Sequence, residues 1–398
     1  MPFPDDRSSA PPRAFERIQG PLDLARSWAG DDRLALIVSG SHAADEAVWV
    51  AHAGGPVSLS DLDLYAVVRD EAARHAAQAR ARAARPGLAG RLLAMGLAAP
   101  LEVGFQTPDD LAGLPARPGT IALRRSGQVV DGDPAWLARV PVWSARDVSR
   151  EELWLLLENR GFELLWAACA PPGALDLAEL KRRHAVLKCA LELAAVIALA
   201  AGEYPGSAAE RVAFARHHWP APGPPGSMPE PPWSAALEWR SGRATRLDRA
   251  AAEAERLSTV RAWVSVWRTL AGVPLIPADA ARPFAGVAET ARRAPFPRRV
   301  RLALAPEGGE ACLDRPLLRV SRALAGTPRH RLNGAATATL LFEAARAEAG
   351  VDAATLTREY RATLVRLGFR GDPATAPEAL VRAWDRCLLD GQRTEGWR

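Results

Sequence analysis

The sequence predicts an α+β protein, in which an amino-terminal part alternating strand and helix is followed by an all-helical carboxy-terminal region. Three observations predict it. Apolar runs of strand length, bounded by Gly, Ser or Asp turns, recur between residues 33 and 133 with helix-compatible segments between them. After residue 145 such runs nearly vanish, and apolar residues recur at helical spacing instead. The 398 residues are 48% hydrophobic, which allows a large buried core and excludes a disordered chain.

Each element has its own warrant. Residues 13–29 read as a first helix, and "RLALIVSGS" (33–41) as a buried strand running into a tight Gly-Ser turn. "HAADEA" is short and helix-compatible, "VWVAHAGGP" suits a strand and turn, and "LDLYAVV" is a second buried strand. Residues 70–96, rich in Ala and Arg, predict an amphipathic helix with a break at Pro86-Gly87. "PLEVGFQT" (100–107) reads as a third strand and "TIALRRSGQVVDGD" (120–133) as a fourth, turning at Ser126-Gly127. This alternation argues for an α/β domain over 1–147. The helical part opens with "SREELWLLLENRGFELLWAACA", capped by Ser149, and "DLAELKRRHAVLKCALELAAVIALAAGEY", capped by Asp176. These predict a helical domain over 148–220. "PAPGPPGSMPEPPW" (220–233) is a proline-rich connection. Helical patterning resumes at 234–271, 334–349, 352–367 and 377–389, so 234–398 is expected to be a further helical region.

Composition narrows the function classes. The amino terminus has no apolar stretch of signal-peptide length, and a cytoplasmic address is expected by default. The most apolar long segment, 184–204, carries Lys188 and Glu192, and its charge-free part is too short to span a bilayer. A buried helix is expected there, with no membrane partner. Cys169, Cys189, Cys312 and Cys387 form no CxxC pair, which suggests neither a zinc site nor a disulfide framework. A formal charge of +5 permits a polyanionic partner without choosing one. Lys181 and Lys188 are the only lysines, so arginine supplies nearly all of the 51 basic residues, and both lysines fall near one face of one predicted helix.

Chemistry concentrates in "GGPVSLSDLDLYAVV" (54–68), where Asp61 and Asp63 stand one residue apart at the head of an apolar run. Aspartate is among the poorest strand formers. Residues two apart on a strand share a face, so both carboxylates point one way while Leu62 and Leu64 point to the core. Two carboxylates that close repel unless a cation lies between them, and a divalent metal pair in phosphoryl transfer is the best-known reason for the arrangement. Magnesium suits it, because it takes oxygen ligands and keeps some water along with substrate phosphate. The turn at Gly40 and Ser41 offers backbone N–H groups and a hydroxyl to a phosphate. Glu102 supplies a third carboxylate, since Leu101, Val103 and Phe105 share one face of their strand and leave Glu102 and Gly104 on the other. The plainer readings are a solvated strand end for the Asp pair, an exposed strand position for Glu102 and an ordinary turn for Gly40 and Ser41.

This pattern, "SGS", then "SDLDLYAVV", then an acidic residue on a later strand, resembles the DNA polymerase β-like nucleotidyltransferase superfamily, in particular its bacterial stand-alone members. "GQVVDGDPAWLARVP" resembles the end of such domains, and "LLENRGFELL" and "LKCALELAAVIALAAGEYPGSAAERV" resemble their helical partner domain, so the likeness covers roughly the first 215 residues. It implies a nucleotidyltransferase-type domain with a mixed sheet, and an enzyme that moves a nucleoside monophosphate from a nucleoside triphosphate such as ATP to an acceptor hydroxyl, releasing pyrophosphate. On that comparison Asp61, Asp63 and Glu102 are the catalytic, magnesium-holding residues. Gly40 and Ser41 bind the triphosphate, Lys188, ahead of Lys181, lends it positive charge, and Tyr204 borders the base or acceptor pocket. A lysine on an amphipathic helix is more often simply part of its wet face.

Two departures stand out: 20 positions separate Ser41 from Asp61, more than the superfamily's usual gap, and no basic residue follows the Gly-Ser turn. The insert "VWVAHAGGPVSL" must loop out or add a strand. Two other classes stay open, a catalytically degenerate relative that binds a nucleotide or a partner, and a nucleic-acid-processing transferase. The acceptor is unspecified, with a small molecule favoured over a protein or nucleic acid. His42 and His52 read as loop histidines, His217 and His218 as surface, Trp263 and Trp267 as packing anchors, and "RRAPFPRRVRL" (292–302) as a solvated loop.

Overall fold

The computed structural model describes residues 13–52, 55–169, 177–219, 230–242, 249–271, 328–346, 352–367, 369 and 372–388. Asp176, Cys312, most of the proline-rich connection and the basic run at 292–302 lie outside them. The described chain is an α+β protein, and it divides into two compact units. The first holds the residues up to Val148 with Arg240–Gly242, and the second holds Ser149–Trp239 and the described residues from Arg249 onward. The helices of 148–220 and those after 233 belong to one unit, joined by hydrogen bonds such as Trp233 Nε1 to the Ala190 carbonyl at 2.7 Å.

The first unit opens with a 3₁₀ turn at Arg13–Ile18 and α1 (Gln19–Ala29), which ends at Gly30 with φ +74°. β1 (Arg33–Ser39) follows, then the short α2 (Gly40–Ala43) and a hairpin of β2 (Trp49–His52) and β3 (Gly55–Ser58). β4 (Leu62–Val68) leads to α3 (Glu71–Ala83), whose N-cap Asp70 accepts from the Ala73 N–H at 2.9 Å, and then α4 (Leu88–Ala94). The expected break lies between these two helices, where Gly87 has φ +67°. After them come β5 (Leu101–Gln106), α5 (Pro108–Ala112), α6 (Pro118–Ser126) and β6 (Gln128–Gly132).

The main sheet has the order β5-β4-β1-β6, with β4 and β5 parallel and β1 antiparallel to both neighbours. It is thus a small mixed sheet. The expected fourth strand over 120–133 is corrected in its first half, because Thr120–Ser126 belongs to α6 and only Gln128–Gly132 pairs with β1. A short apolar run does not separate strand from helix by periodicity alone. Here Pro118, with φ preset for a first helical turn, starts a helix that buries Thr120, Ile121 and Leu123.

Alternation along the strands sends side chains into two cores. Leu36, Val38, Leu62, Leu64, Ala66, Leu101 and Phe105 pack with Leu22 and Trp28 of α1, Ala77 of α3 and Leu88 of α4. On the opposite face Ala35, Ile37 and Val67 pack with Leu111 of α5, Leu123 of α6 and Val140, with Tyr65 partly buried against them. The expected placement of Leu62 and Leu64 is found, both being almost completely buried.

The second unit contains α7 (Arg150–Cys169), α8 (Leu177–Ala200), α9 (Ala208–His218), all but the last residue of α10 (Trp233–Arg240), α11 (Arg249–Ala271), α12 (Pro328–Arg346), α13 (Ala353–Arg366) and α14 (Ala376–Leu388). Ser149 caps α7, accepting from the Glu152 N–H at 3.3 Å. Trp263 and Trp267 are buried, and the Trp263 indole donates to the Leu157 carbonyl at 2.8 Å across α7 and α11. Gly161 lets α7 approach that indole, since a Cβ there would lie 3.0 Å from it. Among the described residues, no helix is long and apolar enough to cross a membrane.

Candidate functional site

Where β1 ends and β4 begins, the register builds a row of polar side chains across three strands. Ser39 pairs with Asp63 on one side, and Asp63 pairs with Glu102 on the other. Register partners on neighbouring strands lie about 4.8 Å apart along the hydrogen-bonding direction and point to one face, so the Asp63 and Glu102 carboxylates are neighbours. Asp61 sits two positions before Asp63, just ahead of β4, and all three acids are half-buried. Asp63 and Glu102 share the face that carries Ile37, Tyr65 and Val67 further along.

Gly40 closes this row. Its φ is +66°, in the left-handed region, and a Cβ on it would lie 2.6 Å from Asp63 Oδ2. Both facts require glycine, because any side chain would be strained and would displace the carboxylate. Ser41 follows in the first turn of α2, its carbonyl accepting from the Glu46 N–H at 2.8 Å. Gly40, Ser41, Asp61, Asp63 and Glu102 therefore all belong to the first unit, around adjoining strand ends.

Two residues overlooked in the sequence belong beside them. Tyr65 is the next residue on the face of Asp63, and its register partner is Gly104, where a Cβ would sit 3.6 Å from Tyr65 Cδ1. Burial, then the negative charge of Asp63 and Glu102, pushes the Tyr65 hydroxyl above its ordinary pKa of 10.0, and the Arg117 guanidinium opposes them. The phenol thus keeps its proton at neutral pH and can donate it in a hydrogen bond. Its signal was the same alternation that exposed the Asp pair, carried one step further. Arg117, the exposed residue that precedes α6, had no such signal. It supplies a basic charge to this neighbourhood from a part of the sequence distant from the Gly-Ser turn.

Lys188 and Tyr204 belong to the second unit. Lys188 is half-buried on α8, and Tyr204 carries the Arg211 guanidinium 5.4 Å from its ring centroid. Lys181, also half-buried on α8, has its pKa lowered by burial. His42 corrects its reading as a loop histidine: it is 5% exposed, lies in α2, and hydrogen-bonds to the segment that precedes Asp61. Burial lowers its pKa from 6.5, opposed by the hydrogen bond to Ser60 and by the charge of Asp61.

A donor set made of carboxylates fits a hard divalent cation such as Mg2+, which is usually held by one or two carboxylates together with water and substrate phosphate. Asp63 beside Glu102 meets that description. Among the described residues, no three His, Cys, Asp or Glu side chains are gathered so as to hold a metal ion by themselves. Comparison with models of known protein families finds no match for this chain, and comparison with curated proteins finds none either.

Proposed function

We propose that the chain is a metal-dependent nucleotidyltransferase, which moves a nucleoside monophosphate from a nucleoside triphosphate to an acceptor hydroxyl and releases pyrophosphate. One observation carries the reading: Asp63 and Glu102 are register partners on adjacent parallel strands, with the Gly40 backbone lying against Asp63. Carboxylates placed together on a half-buried face repel one another, and a cation bound with a polyphosphate relieves that repulsion. Asp61, Asp63 and Glu102 would hold Mg2+, which when bound offsets negative charge on the phosphates.

The residues divide the remaining work. Gly40 and Ser41 orient the triphosphate through backbone N–H groups and the Ser41 hydroxyl, while Arg117 adds positive charge. Glu102 accepts the acceptor hydroxyl's proton as its oxygen bonds to the α-phosphorus and the bond to the pyrophosphate oxygen breaks. Positioning and charge neutralisation supply most of such a rate enhancement. A small molecule is the favoured acceptor.

Calorimetric titration of each of the four ribonucleoside triphosphates, with and without Mg2+, tests the reading. Magnesium-dependent binding to the wild type, lost in Asp61→Asn/Asp63→Asn, is the expected result. Binding that persists in the double variant, or none to either protein, would sink it and turn attention to a partner-binding role on a degenerate fold.

A further inference from the structure

The chain between Ser41 and Asp61 folds back on itself before it reaches the carboxylates. β2 and β3 pair from Trp49 with Ser58 to His52 with Gly55, outside the main sheet. At the base of this hairpin the Leu59 N–H donates to the Val48 carbonyl at 2.9 Å. Ser58 is joined to the segment before β5: its N–H donates to the Gly96 carbonyl, and its carbonyl accepts from the Ala98 N–H, both at 2.8 Å. Ser58-Leu59-Ser60 is therefore the link between a peripheral hairpin and Asp61.

The His42 ring supports this link from within. Its Nε2 lies 3.3 Å from the Ser60 carbonyl and 3.2 Å from Ser58 Oγ. A carbonyl only accepts, so Nε2 carries the proton and shares it between the two oxygens. Ser58 Oγ also donates to the Ser60 carbonyl and accepts from the Ser60 N–H, each at 3.2 Å, and Ser60 Oγ accepts from the Val48 N–H at 2.9 Å. The three side-chain-bearing residues are almost wholly buried, with His42 at 5%, Ser58 at 0% and Ser60 at 4% exposure. Trp49 meets the imidazole edge-on at 87°, with ring centroids 5.9 Å apart. Both ends of the linkage touch the site: His42 lies two residues after Gly40, and Ser60 immediately precedes Asp61.

We infer that His42 is a positioning residue for Asp61: its Nε2–H holds the Ser60 carbonyl so that the chain leaves the hairpin with Asp61 beside Asp63. The consequence for metal binding rests on the nucleotidyltransferase reading, whereas the positioning itself does not. The network also explains how the long excursion from Ser41 is compatible with a site that needs Asp61 at a defined place. Without the His42 donor the Ser60 carbonyl would keep only the 3.2 Å hydrogen bond from Ser58 Oγ, and the link would be held less firmly in this conformation.

Two variants separate the donor from the ring. His42→Phe keeps an aromatic ring against Trp49 and removes the donor, while His42→Gln puts an amide N–H near the place of Nε2. Amide hydrogen exchange at Val48 and Ser60 reads the positioning, and Mn2+ titration followed by electron paramagnetic resonance reads the site, with Asp61→Asn/Asp63→Asn as the reference. In His42→Phe we expect exchange at Val48 and Ser60 to rise, and Mn2+ affinity to fall, each by about tenfold, with both returned to within about threefold of wild type in His42→Gln. Exchange in the centre of β1 should stay unchanged. Unaltered exchange at Ser60 in His42→Phe would overturn the inference, and so would faster exchange with unaltered Mn2+ affinity, which would leave a purely structural network. If the wild type binds no Mn2+, the metal reading falls and the exchange result alone decides the positioning. Should His42→Phe not fold, Ser58→Ala removes one partner of the same proton and is expected to change both readouts in the same direction.

Discussion

At the scale of single residues, Gly40 and Asp63 are the pair on which the site depends, because the carboxylate of one fills the space that the missing side chain of the other leaves open. Gly40→Ala would add a Cβ 2.6 Å from Asp63 Oδ2 at a φ of +66°. Forcing a non-glycine residue into the left-handed region costs about 1–2 kcal/mol, so denaturant unfolding should register a loss of at least that size, and nucleotide titration should show the site displaced. His42 makes a different prediction. Burial holds its folded-state pKa below the ordinary 6.5, so the unfolded chain takes up the proton more readily. Stability is therefore fully present above about pH 6.5 and declines as the pH falls below it. An NMR titration should find the His42 ring neutral at pH 7 with its midpoint under 6.5; a midpoint above 6.5 would contradict its burial.

At the scale of elements, short apolar stretches behaved differently according to what anchored them. "LDLYAVV" and "LEVGF" were legible as strands, since apolar and polar positions alternate and the acids fall on one face. "TIALRRS" is helical and not extended, because a proline start and packing against the sheet decide a stretch whose apolar run allows either. The two helices α7 and α11 depend on a small residue at their contact. A side chain at Gly161 would meet the Trp263 ring at 3.0 Å and Leu340 at 3.2 Å, both in a packed interior. Overpacking of this kind costs about 1–3 kcal/mol, and chemical denaturation of Gly161→Leu should show a loss in that range. No measurable change would mean that the two helices separate easily.

For the whole molecule, two compact units with separate cores predict unfolding in more than one step. Leu64→Ala, in the sheet's main core, should remove about 2–5 kcal/mol from the transition of the first unit. Gly161→Leu should lower only the transition of the second, and scanning calorimetry of both variants distinguishes this from a single cooperative event. Thiol chemistry offers a second global test. Burial, then the charges of Glu378 and Glu343, raises the Cys169 thiol to about 12, and burial raises the Cys189 thiol well above its ordinary value. Both should resist alkylation at pH 8 in the folded protein, as read by peptide mass mapping, and react on denaturation. A small-molecule acceptor also predicts that RNA and DNA bind weakly, with no steep salt dependence; a steep loss of nucleic-acid affinity between 50 and 200 mM salt, of about a thousandfold or more, would favour the nucleic-acid transferase instead.

The sequence by itself determined the α+β class, the order of its halves, and the burial of Leu62 and Leu64, because each is set by local periodicity. It also marked Gly40 and Glu102, which follow from the ends and alternation of single strands. Only the tertiary structure decided that Asp63 and Glu102 are register partners, that Tyr65 and Arg117 join them, and that His42 supports the segment before Asp61. These relations pair residues on different elements, and strand order and register carry no signature within any one stretch. The insert before Asp61 illustrates the division: its length is visible as an anomaly, while the hairpin that absorbs it and the buried histidine that holds its far end depend on contacts across the chain.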